Sequence, residues 1–135
     1  MATIKTEYLG SLRTRATHVK SGNALITDAP VDNQGKGEAF SPSDLLATAL
    51  ASCMLTIMGI AAEKKGISLE GTSVETTKIM AADPRRVGRL EITMHFPENL
   101  DIDEKDRIIL ERAAKTCPVY YSIHPDIEKV LTFKW

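Results

Sequence analysis

Residues 41–66 read SPSDLLATALASCMLTIMGIAAEKKG, and this stretch decides the architecture. Ser41 carries a hydroxyl suited to an N-cap, and Pro42 suits the first helical position, where no N–H is needed. Asp44, three residues after the cap, can close a capping box, although glutamate is the usual partner. Gly66 follows Lys64 and Lys65 and ends the pattern. At about 1.5 Å per residue the segment predicts roughly 36 Å of helix, enough to cross a small domain. Residues 45–62 carry no charge, which brings the run near the length of a membrane span. Thr48, Ser52, Thr56, Gly59 and the many alanines point instead to a helix buried in a protein core. Because the helix is apolar nearly all round, both its sides need cover. A second sheet or a second subunit must supply it, so a homodimer is expected.

Working outward, residues 3–8, 11–19 and 24–27 read as short strands. Gly10, the Ser21-Gly22-Asn23 run and the Asp28-Ala29-Pro30 run punctuate them. Residues 31–40 form a polar loop containing Gly35 and Gly37, long enough to suggest function. After the helix, residues 67–80 and 87–96 read as a strand pair turning at Asp83-Pro84. A second helix opens near Asp101 to Asp103 and is expected to stop at Cys117-Pro118. Tyr120, Tyr121, His124 and Pro125 lead into a last strand over 127–135. Strands in hairpins with helices set apart from them predict an α+β fold of antiparallel sheets around a long central helix. No linker or repeat divides the chain, so residues 1–135 are expected to form a single domain.

The bulk numbers exclude some functions. The chain has 17 basic and 18 acidic residues among 135. No basic cluster suggests a nucleic-acid partner. The N-terminal residues lack the apolar core of a signal peptide, so a cytoplasmic location and no membrane partner are expected. In a reducing compartment two cysteines are better suited to a transient disulfide than to a permanent one.

Those cysteines are Cys53, inside the long helix, and Cys117. Helical neighbours of Cys53 are Leu46, Ala49, Leu50, Thr56, Ile57 and Ile60, a mostly apolar surface. Such walls suit a lipophilic substrate but disfavour a thiolate. A nucleophile there needs a positive charge or a strong donor beside it. Arg13 and Arg15, two apart on one strand, are the candidates, with Glu38 or Asp44 to hold the guanidinium in place. A lone cysteine in an apolar helix is also an ordinary core residue, and from the residues alone a redox site and an inert core weigh about equally. His18, His95 and His124 show no metal-ligand spacing with either cysteine. There is no glycine-rich phosphate loop.

Residues 40–53, FSPSDLLATALASC, together with the distant Cys117-Pro118, resemble the OsmC/Ohr family of thiol peroxidases, and the similarity extends over essentially the whole chain. The resemblance implies an intertwined homodimer with active sites at the subunit interface. It implies that Cys53 attacks an organic hydroperoxide and becomes a sulfenic acid. Cys117 then condenses with it to a disulfide, which an external dithiol reduces, with no bound cofactor or metal. Arg13 matches the family's early arginine, and Glu38 is its expected support. One departure stands out: hydroperoxide-resistance members carry glutamate directly after the helix-start proline, where this chain has Ser43. A non-enzymatic module for a small lipophilic ligand and a thiol redox sensor are the alternatives.

Overall fold

The computed structural model describes residues 1–135. In chain order it contains β1 (Ile4–Gly10), β2 (Arg13–His18), β3 (Ala24–Asp28), a 3₁₀ turn (Val31–Asn33), α1 (Pro42–Glu63), β4 (Ser73–Ala81), β5 (Arg86–His95), α2 (Glu104–Ala114), α3 (Pro118–Ser122) and β6 (Glu128–Lys134). Apart from α3, this is the α+β order expected from the sequence. The strands make two three-stranded sheets, β1-β2-β3 and β4-β5-β6. The residues group into two compact units, 1–46 and 47–135, and α1 begins in the first and ends in the second.

The first unit is an antiparallel meander. Ser11 and Leu12 turn β1 into β2 with φ of 56° and 63°, the left-handed pair that matches strand twist in a tight hairpin. At β3 the chain enters the polar loop, which is closed at its base. Asp28 donates its N–H to Phe40 O at 3.0 Å, and Thr27 and Phe40 form a parallel bridge. Gly37 N–H reaches Ala29 O at 3.1 Å. A Cβ on Gly35 would lie 1.7 Å from Ala29 O, so only glycine lets the loop fold back this tightly.

The start of α1 follows the predicted capping box with aspartate in the acidic position. Asp44 N–H donates to Ser41 Oγ at 3.1 Å, and Ser41 N–H donates to Asp44 Oδ2 at 2.9 Å. Gly66, with φ of 70°, follows the helix end.

The second unit is built around one face of α1. Ala47, Leu50, Ala51, Met54, Met58 and Ala62 are buried at helical spacing. Alternate residues of β5, Leu90, Ile92 and Met94, are buried with them, as are Leu110 and Ala114 of α2. Three details differ from expectation. The strand predicted over 67–80 begins only at Ser73, because residues before it form a turn. There Thr72 donates to Leu69 O through both N–H (3.0 Å) and Oγ1 (2.7 Å), and Gly71 takes φ of 92°. Strand β6 pairs with β5 in parallel, so the second sheet is mixed. A parallel neighbour needs a crossover, which α2 and α3 provide.

The third difference bears on chemistry. Helix α2 ends at Ala114, and Cys117-Pro118 opens α3 rather than closing α2. Pro118 cannot donate an N–H and has φ preset for a helix, so it starts one as readily as it stops one. Residues Tyr120 and Tyr121 therefore lie on a helix.

The core predicts two costs. Leu50→Ala should lower stability in urea titration by about 2–5 kcal/mol, the range for a truncated, fully buried leucine. Ser41→Ala should cost about 1 kcal/mol through loss of the cap.

Candidate functional site

Cys53 stands on α1 beside the buried stripe and is half-buried, while Cys117 is fully buried. Both are free thiols, and Cys53 is close enough to Cys117 to act on its titration. The two cysteines are 64 positions apart in the chain, and the packing of the second unit makes them neighbours. Cys117 is the N-cap of α3, and Tyr120 N–H donates to its Sγ at 3.2 Å. The short helix is held by Ser122 Oγ donating to Pro118 O at 2.7 Å and by Lys129 Nζ lying 5.0 Å above the Tyr120 ring.

Burial pushes the Cys117 thiol up from its ordinary pKa. The Tyr120 N–H pulls it back in part, and the neighbouring Cys53 adds to the rise. Cys117 is therefore kept protonated at neutral pH. That suits a thiol that acts second, after a partner sulfur has been activated, better than one that attacks first.

The first unit holds a second cluster. Arg13 Nη2 lies 2.5 Å from Glu38 Oε2 and 3.5 Å from Asp28 Oδ2. Glu38 also donates its backbone N–H to Asp28 Oδ2 at 2.9 Å. So Glu38 is the carboxylate the sequence reading proposed for Arg13, and it reaches the arginine because the loop folds back through Gly35 and Gly37. Arg15, the alternative, is exposed. Asp44, the other proposed support, serves the cap of α1.

Asp28 was missed by the sequence reading, which treated it as turn punctuation. It is 1% exposed. The signal was present: counting back from the Ser21-Gly22-Asn23 turn puts Asp28 directly opposite Arg13 in the β2–β3 register. The carboxyl is held below its usual range, chiefly by the Glu38 N–H and then by Arg13, against the opposing effect of burial. The two carboxylates in turn hold the guanidinium firmly charged.

Two clefts, of about 560 and 430 Å³, lie elsewhere. One is lined by Gly59, Glu63 and residues 66–70, the other by residues 80–85, and neither includes a cysteine.

The fold agrees with comparison to known proteins. A family profile described as OsmC-like protein matches residues 35–130. This chain belongs to the OsmC-like family. The crystal structure of a candidate osmotic stress induced and detoxification response protein from Psychrobacter arcticus 273-4 is 57% identical. It superposes with a TM-score of 0.93 over 98% of this chain and 96% of that one. An organic hydroperoxide resistance protein OsmC from Legionella pneumophila shares the fold at 19% identity. Its TM-score is 0.76, over 100% of this chain and 98% of that one. The organic hydroperoxide resistance protein OhrB of Bacillus subtilis does so at 18% identity. Its TM-score is 0.69, over 98% of both chains. No curated protein matches the chain.

Ser43 stands where the resemblance to hydroperoxide-resistance proteins implies a glutamate. Its Oγ is 3.2 Å from Ser41 Oγ. The carboxylates on Arg13 come instead from the loop and from β3, through Glu38 and Asp28. The charge on Asp28 gives a pH prediction with a definite sign. Its folded-state pKa is depressed, so its contribution to stability is complete above the ordinary carboxylate range. That contribution is lost as pH falls through the depressed value. Urea midpoints measured across the acid range should show this fall in the wild type and a shallower one in Asp28→Asn.

Proposed function

We propose that this OsmC-like protein is a thiol peroxidase that reduces organic hydroperoxides to alcohols. The observation that carries the reading is the pairing of a half-buried thiol on α1 with a fully buried thiol at the start of α3. Hydroperoxide resistance proteins that share the fold support it.

In this reading the Cys53 thiolate attacks the terminal oxygen of the hydroperoxide. The O–O bond breaks, the alkoxide takes a proton and leaves as an alcohol, and Cys53 becomes a sulfenic acid. The Cys117 sulfur then attacks the sulfenic sulfur. Water departs and a Cys53–Cys117 disulfide forms. An external dithiol returns two electrons by thiol–disulfide exchange through a mixed disulfide. The Arg13 guanidinium, held by Glu38, supplies the positive charge that favours the thiolate and orients the peroxide. No bound cofactor takes part, and the protein acts in the cytoplasm.

The working unit in this reading is a homodimer with its active sites at the subunit interface. Apolar surface left open in one chain supports it. In the first unit only Thr27, Asp28 and Ser41 are buried, so that sheet has no apolar core of its own. Ile4, Tyr8, Leu25 and Ile26 are exposed there, and Ile60 is exposed on α1. A three-stranded sheet needs a packed face to be stable, and a second copy supplies one.

Three measurements test the proposal. Cumene hydroperoxide should consume two free thiols per chain in the wild type, one in Cys117→Ser, and none in Cys53→Ser. Survival of both wild-type thiols in excess peroxide would falsify the reading. Arg13→Ala should lower the thiolate absorbance of the reduced protein at neutral pH and slow turnover with an added dithiol. An unchanged thiolate signal would remove Arg13 from the site. Ile60→Lys should shift the protein toward monomer in light scattering at micromolar concentration. A dimer unaffected by that charge would place the interface elsewhere.

A further inference from the structure

We propose that Asp28 is a positioning residue of the peroxidase site: its buried carboxylate anchors Arg13 and the Glu38 loop, so that Arg13 presents its remaining donors in a fixed direction. This rests on the peroxidase reading of Arg13.

Three features of the cluster support it. The first is the contrast between the two carboxylates. The Glu38 side chain is 60% exposed, and that of Asp28 is 1% exposed. An exposed ion pair on a loop fixes a guanidinium poorly, because solvent screens it and both side chains are mobile. Asp28 sits at the end of a strand whose register is set against Arg13 itself, which makes it the rigid member. A single oxygen, Oδ2, both faces Arg13 and accepts the Glu38 N–H, so one atom fixes the arginine and the loop together.

The second is the way Arg13 is held. Both ion pairs run through Nη2. The other edge of the fork, Nη1 and Nε, engages neither carboxylate. A guanidinium pinned by one prong has donors left for a third anionic group, and a thiolate with its hydroperoxide is the group this site requires.

The third is that the Asp28 carboxylate is only partly satisfied where it sits. Its Oδ1 is buried without a hydrogen-bond partner. Burying an ionised group with an unused acceptor carries a desolvation cost, which here is offset only through the Glu38 N–H and Arg13. The charge has a use where it sits, as the fixed counterion of Arg13.

The test is Asp28→Asn, which keeps size and an acceptor oxygen but removes the charge. With cumene hydroperoxide and an added dithiol, kcat/KM should fall by about ten- to a hundredfold, the scale of a misplaced orienting group. The thiolate absorbance at neutral pH should fall with it. In an Arg13→Ala background the same substitution should change neither quantity further, because Asp28 acts only through Arg13. Equal losses in both backgrounds, or full activity in Asp28→Asn, would overturn the proposal. A wild type that fails to consume hydroperoxide would instead overturn the peroxidase reading. Should Asp28→Asn not fold, Glu38→Gln carries the test. Nitrogen NMR of Arg13 in that variant should still show hindered Cζ–Nη rotation, since Asp28 remains. Free rotation there would show that Glu38 is the anchor and Asp28 is not.

Discussion

Burial of one face of α1 is the constraint on which the second unit depends. Leu50, Met54 and Met58 are fully buried, and no other helix of the chain contributes as many buried apolar residues. That stripe fixes the rotation of the helix about its axis. Once the rotation is set, the direction of every other α1 side chain follows from the 3.6-residue period. Cys53 directly precedes Met54 and so falls at the margin of the stripe, half-buried rather than lost in the core. A register that placed the cysteine inside the stripe would have sealed it from any reagent. One that placed it on the far face would have separated it from Cys117.

The two thiols then differ for identifiable reasons. Cys117 is enclosed, which favours its neutral form, yet it receives a backbone N–H because Pro118 starts a helix behind it. Proline is what allows that geometry: the residue before it is held in the extended region, here with φ of −69° and ψ of 145°, as an N-cap requires. The dipeptide is thus a device for aiming a sulfur at amide donors. Its other effect, ending the preceding helix, is secondary, since α2 has already closed at Ala114.

The arginine cluster draws its two carboxylates from separate places in the chain. A carboxylate at position 43 would have sat in the first turn of α1, competing with Asp44 and Ser41 for the capping geometry. Serine there leaves the cap intact. The counterions of Arg13 come from the loop and from the facing strand, and the loop is brought in by glycine. At Gly35 the reason is space, since any side chain would collide with Ala29. At Gly37 it is a φ of 64°, which other residues seldom adopt.

By itself the sequence determined the order of the strands and of the two longer helices, the capping box of α1, and Arg13, Glu38, Cys53 and Cys117 as candidates. These are carried by short-range signals: hydrophobic period, cap chemistry, and a motif of fixed spacing. Asp28 was legible in principle, because strand register follows from the turn, but it sits in a run that also reads as a turn. The parallel entry of β6, the neighbour relation of Cys53 and Cys117, and the capture of Arg13 by two carboxylates were decided only by the tertiary structure. Each joins residues far apart in the chain, and which of them meet depends on how buried faces pack, a choice no local pattern encodes.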